Sequence, residues 1–99
     1  MILAFHQTPT LTRERYEEVV LRLTGGKARI EEPTDLPFDG LLFHAAGEAP
    51  GGFVVFDVFE SEEAVEAFRI ALGTIPRDVG IEEPPLFFPA HNVFMPCTS

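Results

Sequence analysis

The sequence has little cysteine, little positive charge and no tryptophan. Its single cysteine, Cys97, has no partner for an internal disulfide or a CxxC pair, so an exposed or loosely ordered thiol is expected. Seven lysines and arginines stand against 16 aspartates and glutamates, giving a formal charge of −9. Such a chain has no basic patch to hold a phosphate backbone, and we expect no nucleic-acid partner.

Long apolar runs are also missing. Residues 1–5 are too few for the apolar region of a signal peptide or for a membrane-spanning helix. The chain is therefore expected to be soluble and cytoplasmic, with no membrane partner. Apolar residues make up 45% and charged residues 23% of the sequence, which is typical of a globular protein and predicts one domain over residues 1–99.

The spacing of apolar residues predicts four strands and two helices. Strands are expected over Ile2–His6, Leu41–Ala46, Phe53–Phe59 and Leu86–Phe94. Helical spacing begins at Arg13 and again after Ser61. The expected caps are Thr12 and Ser61 at the helix starts, and the expected stops are Gly25-Gly26 and Gly73.

The connections carry the turn-forming residues. Residues 47–52 are predicted to be the turn of a hairpin, whereas residues 27–39 and 77–85 carry prolines and no apolar period. Pro89 has no N–H to donate, which places the last strand at a sheet edge or at a bulge. The order β-α-β-β-α-β predicts an α+β fold, a split β-α-β arrangement with two helices on one face of a four-stranded antiparallel sheet.

The sheet face that the helices leave open is also apolar. In the third strand Val54, Phe56 and Val58 share one face, and the other face carries Asp57 as its single charged residue. Both faces must then be buried, and in so short a chain a second copy related by two-fold symmetry is the simplest cover. We expect a homodimer; the alternative is an unusually apolar monomer.

The junction between the third strand and the second helix resembles that of a known superfamily. The run Val58–Ala64, followed by Phe68, is similar to the junction in the dimeric α/β barrel superfamily, in particular its antibiotic biosynthesis monooxygenase-like group. The segments Gly40–His44 and Pro89–Val93 resemble recurrent signatures of small uncharacterised members. The resemblance implies a ferredoxin-like protomer that packs sheet to sheet with its copy, forming a dimeric α/β barrel.

The functions of that superfamily are varied, and the resemblance argues against one of them. They include oxygenation, isomerisation, cyclisation and haem degradation. Haem-degrading members carry a tryptophan on the second helix and a histidine just after it. This chain has no tryptophan, carries Phe68 on that helix, and has no histidine between His44 and His91. Haem degradation is therefore not expected, no cofactor is implied, and no catalytic residue is carried over from other members.

Histidines on predicted strands are the best candidates for proton transfer near neutral pH. If residues 47–52 form the turn, His44 pairs with Val55 and lies diagonally beside Asp57 on one face, within reach of a hydrogen bond. Such a pair fixes the imidazole tautomer and provides a general base, with His91 as a second acid or base. His44, Asp57 and His91 are the candidate catalytic residues.

Structural roles compete with this chemistry. In the alternative, His44 donates to a backbone carbonyl, Asp57 caps a loop or pairs with an arginine, and His91 packs against its strand neighbours. His6 is expected at the rim of the sheet or in solvent. The three histidines have no local ligand spacing, so no metal site is expected.

Three functions remain open. The first is a homodimeric barrel that binds an apolar or aromatic small molecule between helices and sheet, which the ten phenylalanines favour. The second is a cofactor-independent monooxygenase, isomerase or cyclase that uses His44 and Asp57 as base and orienter. The third is a structural or accessory dimer, which a filled core would favour. The sequence favours the first.

Overall fold

The computed structural model describes residues 1–96. Its sheet contains four strands, β1 (Ile2–His6), β2 (Leu41–Ala49), β3 (Gly52–Phe59) and β4 (Leu86–Pro89). The helices are α1 (Arg13–Thr24), α2 (Glu62–Leu72) and the short α3 (Ile75–Asp78), with a 3-10 turn at Pro33–Asp35. The predicted α+β class and antiparallel sheet are confirmed. Within the described residues, no helix has both the length and the apolar composition needed to cross a membrane.

The strand order of the sheet is β2-β3-β1-β4. All three neighbouring pairs are antiparallel. The segment with α1 therefore leads from β1 over β3 to the parallel strand β2, and the segment with α2 and α3 leads from β3 over β1 to the parallel strand β4. β4 lies at an edge, as the missing N–H of Pro89 predicted.

The β2–β3 hairpin differs from the prediction in its turn. The ladder continues until Ala49 lies opposite Gly52, so Pro50 and Gly51 alone form the turn, instead of the six residues 47–52. Glycine is a turn signal in a sequence, but a strand can pair through glycine when its partner residues are strong β-formers. Gly47 pairs with Val54 in this way.

A β-bulge lies at the start of β2. Leu41 is opposite Phe59 and Phe43 is opposite Val58, so Leu42 is the extra residue. The bulge reverses the alternation of side chains before it, because two residues of β2 oppose one residue of β3. Leu41 and His44 therefore face the same side of the sheet, although three positions separate them.

The predicted fourth strand was too long. Pro89 pairs with Ile2, and the next contact is a hydrogen bond of 3.0 Å from the Ala90 N–H to the Met1 carbonyl. The ladder with β1 therefore stops one residue before His91, and residues 91–96 lie outside the sheet. The prediction continued to Phe94 because Val93 and Phe94 are apolar, but a strand needs a partner as well as a pattern.

The caps of α1 and α2 lie where the sequence predicted them. The Thr12 hydroxyl accepts from the Arg15 N–H at 3.2 Å, and the Ser61 hydroxyl accepts from the Ala64 N–H at 3.2 Å. α1 ends at Thr24 and is capped by Gly25, whose φ of 76° is the left-handed conformation that glycine adopts without strain.

Both long helices pack on one face of the sheet through two apolar clusters. Phe59, which is completely buried, is central to the cluster that joins α2 to the sheet through Ala64 and Val65. Leu11 and Phe53 belong to the second cluster, against which residues of α1 pack.

The opposite face of the sheet is apolar and open. Phe43 and Phe56 are each 47% exposed, and Phe88 is 43% exposed. The rings of Phe5 and Phe56 contact each other there, with centroids 5.0 Å apart. We call this surface the outer face; the register gives it Leu3, Phe5, Phe43, Ala45, Gly47, Val54, Phe56, Val58, Leu86 and Phe88.

Candidate functional site

A cavity of about 310 Å³ lies between the helices and the sheet. α1, α2 and the loop before β2 all contribute apolar side chains to its wall. This size and this kind of wall are typical of small-molecule sites. The apolar lining residues are Val19, Val20 and Leu23 from α1, Phe68 and Leu72 from α2, and Ile30, Leu36 and Phe38 from the loop before β2.

His44 and Asp57 meet on the cavity wall. They lie directly opposite each other on β2 and β3, not diagonally as predicted. The shorter turn moves the register by two residues, and a shift of two leaves every side chain on its predicted face. His44 Nδ1 lies 2.6 Å from Asp57 Oδ1. An ionised carboxylate only accepts hydrogen bonds, so Nδ1 carries the proton.

Tyr16 extends this pair into a chain of hydrogen bonds. Its hydroxyl oxygen lies 2.5 Å from His44 Nε2, on the far side of the imidazole from Asp57. The rings of Tyr16 and His44 are nearly parallel, with centroids 5.9 Å apart. The ring of Phe53 packs against that of Tyr16, with centroids 5.1 Å apart. When His44 is neutral, its proton is on Nδ1 and Nε2 is an acceptor, so Tyr16 donates to it. We call this arrangement the Tyr16–His44–Asp57 chain.

The environment keeps Tyr16 protonated at rest. Burial disfavours the phenolate and raises the pKa of Tyr16 to about 12, with the negative charges of Asp57 and Glu17 acting in the same direction. Asp57 is 8% exposed. Its carboxylate accepts from Nδ1 and so fixes the orientation and the tautomer of the imidazole, as in hydrolase triads.

His6 lines the same cavity from β1. It is half-buried, which fits the rim position expected for it but not a solvent position. Its Nε2 donates to the Glu83 carbonyl oxygen at 2.9 Å. Burial lowers the pKa of His6, which favours the neutral imidazole. Hydrogen bonds from Thr10 hold the pKa of the Glu83 carboxyl below its usual value.

A polar recess lies on the other side of Tyr16 and His44. Both side chains also line this recess, which has a volume of about 520 Å³ and includes Arg13, Glu17 and Arg29. Tyr16 and His44 therefore stand between the apolar cavity and a more polar surface.

The structure does not bring the third candidate into the site. His91 is exposed, follows β4 and does not line the cavity that His44 and Asp57 share. Cys97 lies outside the described residues. Within residues 1–96, no group of three or more histidine, cysteine or acidic side chains is placed to hold a metal ion.

Sequence reasoning missed Tyr16 because its place in the apolar spacing of α1 already explained it. The available signal was chemical: it is the only tyrosine of the chain, and a hydroxyl in a helix face that packs on a sheet needs a partner.

No family model, curated protein or solved structure matches this chain. The chemistry of the site is thus what indicates a function.

Proposed function

We propose that the chain forms a homodimeric, ferredoxin-like α/β barrel that binds an apolar or aromatic small molecule in the cavity between helices and sheet. The cavity carries this proposal, because it combines about 310 Å³ of space and an apolar wall with the polar Tyr16–His44–Asp57 chain. A purely structural dimer would need no such space. A cytoplasmic location belongs to the same proposal, and the single cysteine is compatible with it.

The outer face supports the dimer. Three exposed phenylalanines, Phe43, Phe56 and Phe88, lie on a surface to which the strands contribute no charged side chain. The cores of homodimer interfaces are apolar in the same way. Two copies that pack these faces together would close the barrel that the resemblance implies, with the helices on the outside.

Binding can be tested by thermal unfolding with a panel of aromatic and branched aliphatic compounds. A ligand at about 100 times its Kd stabilises the folded protein by about 2.7 kcal/mol, so a true ligand raises the Tm clearly. Val19→Phe, which fills part of the cavity, should reduce this rise. Ile70→Phe, at a position 73% exposed on α2, should not. A panel without effect, or equal shifts in both variants, contradicts the proposal.

The dimer can be tested by light scattering of the purified protein. The expected mass is twice the 11.0 kDa of one chain. Phe56→Asp places a charge at the centre of the outer face and should give a monomer. Phe94→Asp, at a position 81% exposed and outside the sheet, should remain a dimer. A wild-type protein with the mass of one chain refutes the dimer.

The Tyr16–His44–Asp57 chain favours a second function, that of a cofactor-independent isomerase, cyclase or monooxygenase. Two short hydrogen bonds, of 2.5 and 2.6 Å, connect a phenol, an imidazole and a carboxylate on a cavity wall. His44 with Asp57 is then a base, and a base near substrate accelerates proton transfer by roughly 100-fold or more. Solvent deuterium should enter a C–H position of a bound ligand, and Asp57→Asn should slow this exchange. Mass spectrometry measures it, and equal rates in both proteins contradict an acid–base function.

A further inference from the structure

We infer that Tyr16, and not His44, exchanges a proton with the bound ligand, and that the ligand is a weak acid with an apolar body. This inference rests on the proposed binding function. It names a further residue of the site and the chemical class of the ligand: a molecule that presents one ionisable O–H, N–H or C–H group to the Tyr16 oxygen.

Both nitrogens of His44 already have partners. Nδ1 lies 2.6 Å from Asp57, and Nε2 lies 2.5 Å from the Tyr16 hydroxyl. A ligand can reach His44 directly only by breaking one of these bonds. Tyr16 is different, because its oxygen has two lone pairs and one proton, and the hydrogen bond to Nε2 uses only the proton.

The direction of these bonds determines what the ligand must offer. With neutral His44, Asp57 accepts from Nδ1 and Nε2 accepts from Tyr16. The phenolic proton points at the imidazole, so Tyr16, which lines the cavity, can offer a ligand only the lone pairs of its oxygen. A ketone or an ether, which can only accept, finds no donor at the Tyr16 oxygen. A ligand with an acidic hydrogen finds an acceptor.

The proton transfer balances without an oxidant or a reductant. The X–H bond of the ligand breaks and its electron pair stays on X. The proton passes to the Tyr16 oxygen as the proton of Tyr16 passes to His44 Nε2, and the reverse steps restore the acid. The net charge of the site is unchanged, because the new imidazolium balances the new ligand anion. The imidazolium adds a positive charge beside the ligand anion, in a cavity that Arg77, Glu82 and Glu83 also line.

The protonation of Tyr16 at rest agrees with this coupling. A phenol with a pKa of about 12 does not ionise by itself near neutral pH. It accepts a proton only while it gives one to His44. Asp57 is then a positioning residue, because it acts on the ligand through His44 and Tyr16.

A nitrophenol is a suitable probe, because its visible absorption reports whether it is ionised. Wild-type protein should bind the anion, so binding at constant pH increases the absorption of the nitrophenolate. Tyr16→Phe should still bind the neutral form, but its affinity for the anion should fall by about 10- to 100-fold, the loss expected for a hydrogen bond to a charged group. Asp57→Asn should also weaken anion binding. Asp39→Asn, which removes an exposed carboxylate that does not line the cavity, should match the wild type.

The methyl ether of the same nitrophenol is the matched ligand control. It keeps the ring and lacks the acidic proton, so it should bind to wild-type protein more weakly than the phenol does. To Tyr16→Phe, the ether and the phenol should bind equally well. Thermal unfolding verifies that each variant folds, and Asp57→Asn gives an independent test if Tyr16→Phe does not.

Three results would overturn the inference while leaving cavity binding intact. The probe could bind as the neutral phenol, Tyr16→Phe could ionise it as fully as the wild type, or the ether could bind as tightly as the phenol. If neither the phenol nor the ether binds, the proposed cavity function itself fails.

Discussion

Replacing His44 with leucine should destabilise the protein through the charge it leaves behind. The side chains of His44 and Asp57 are 15% and 10% exposed, so little water can replace the lost imidazole. Asp57 would keep its carboxylate on an apolar wall without the donor that now lies 2.6 Å away. Tyr16 would lose its acceptor at the same time.

The expected loss can be estimated from these contacts. Removing the donor of a buried polar acceptor costs about 1 to 3 kcal/mol, and more when the acceptor is charged, which places His44→Leu at about 3 kcal/mol. Replacing both residues by leucine removes the stranded charge as well. Such double replacements are often neutral, so His44→Leu with Asp57→Leu should recover at least about 2 kcal/mol of the loss.

Urea unfolding followed by far-ultraviolet circular dichroism measures both values. Domains of this size usually unfold in one step, which allows the free energy of unfolding to be taken from the curve. All proteins must be compared at one protomer concentration, since association stabilises the folded state. A His44→Leu protein within about 0.5 kcal/mol of wild type, the range of ordinary surface changes, contradicts the prediction. So does a double variant whose loss equals the sum of the losses of His44→Leu and Asp57→Leu.

Three further predictions concern the core, one glycine and pH. Truncation of the completely buried Phe59 to alanine should cost about 3 to 5 kcal/mol in the same urea experiment. Gly40→Ala should lower the free energy of unfolding by more than about 1 kcal/mol, because φ is +99° and the added Cβ would lie 2.5 Å from the Ala64 Cβ. The control Gly47→Ala should lose less, since its added Cβ meets no atom within 4 Å. The pKa of His6 is lowered from 6.5, so the unfolded chain binds the proton more readily and stability should fall as pH drops below about 6.5. His6→Gln should flatten the Tm between pH 6.5 and 5, and an unchanged slope would contradict this.

The helices could be predicted closely because their signals are local. Thr12 and Ser61 start their helices through hydrogen bonds to residues three positions later, and the backbone angle of Gly25 stops α1. Strand ends depend on partners elsewhere in the chain. β2 is three residues longer than predicted because β3 pairs with it as far as Ala49, and β4 is shorter because its ladder with β1 stops before His91.

The candidate site could be predicted only in part. His44 and Asp57 were placed on one face because side chains alternate with period two, and the register error was also two residues. Tyr16 joins them from a helix that follows a different strand, and sequence spacing contains no information on which helical residue lies above which strand residue. His91 was included because an apolar segment was extended past the end of the ladder.

The bulge at Leu42 has a consequence for insertions and deletions. Losing one residue from a paired strand usually exchanges the two faces of everything beyond it. Here Leu42 is the unpaired extra residue, and it is 40% exposed. Its deletion would leave Leu41 opposite Phe59 and His44 opposite Asp57 in an uninterrupted ladder. This edge strand thus tolerates a change of length at one position without moving a side chain from the cavity to the outer face. What the deletion removes is the local twist that a bulge adds to its strand.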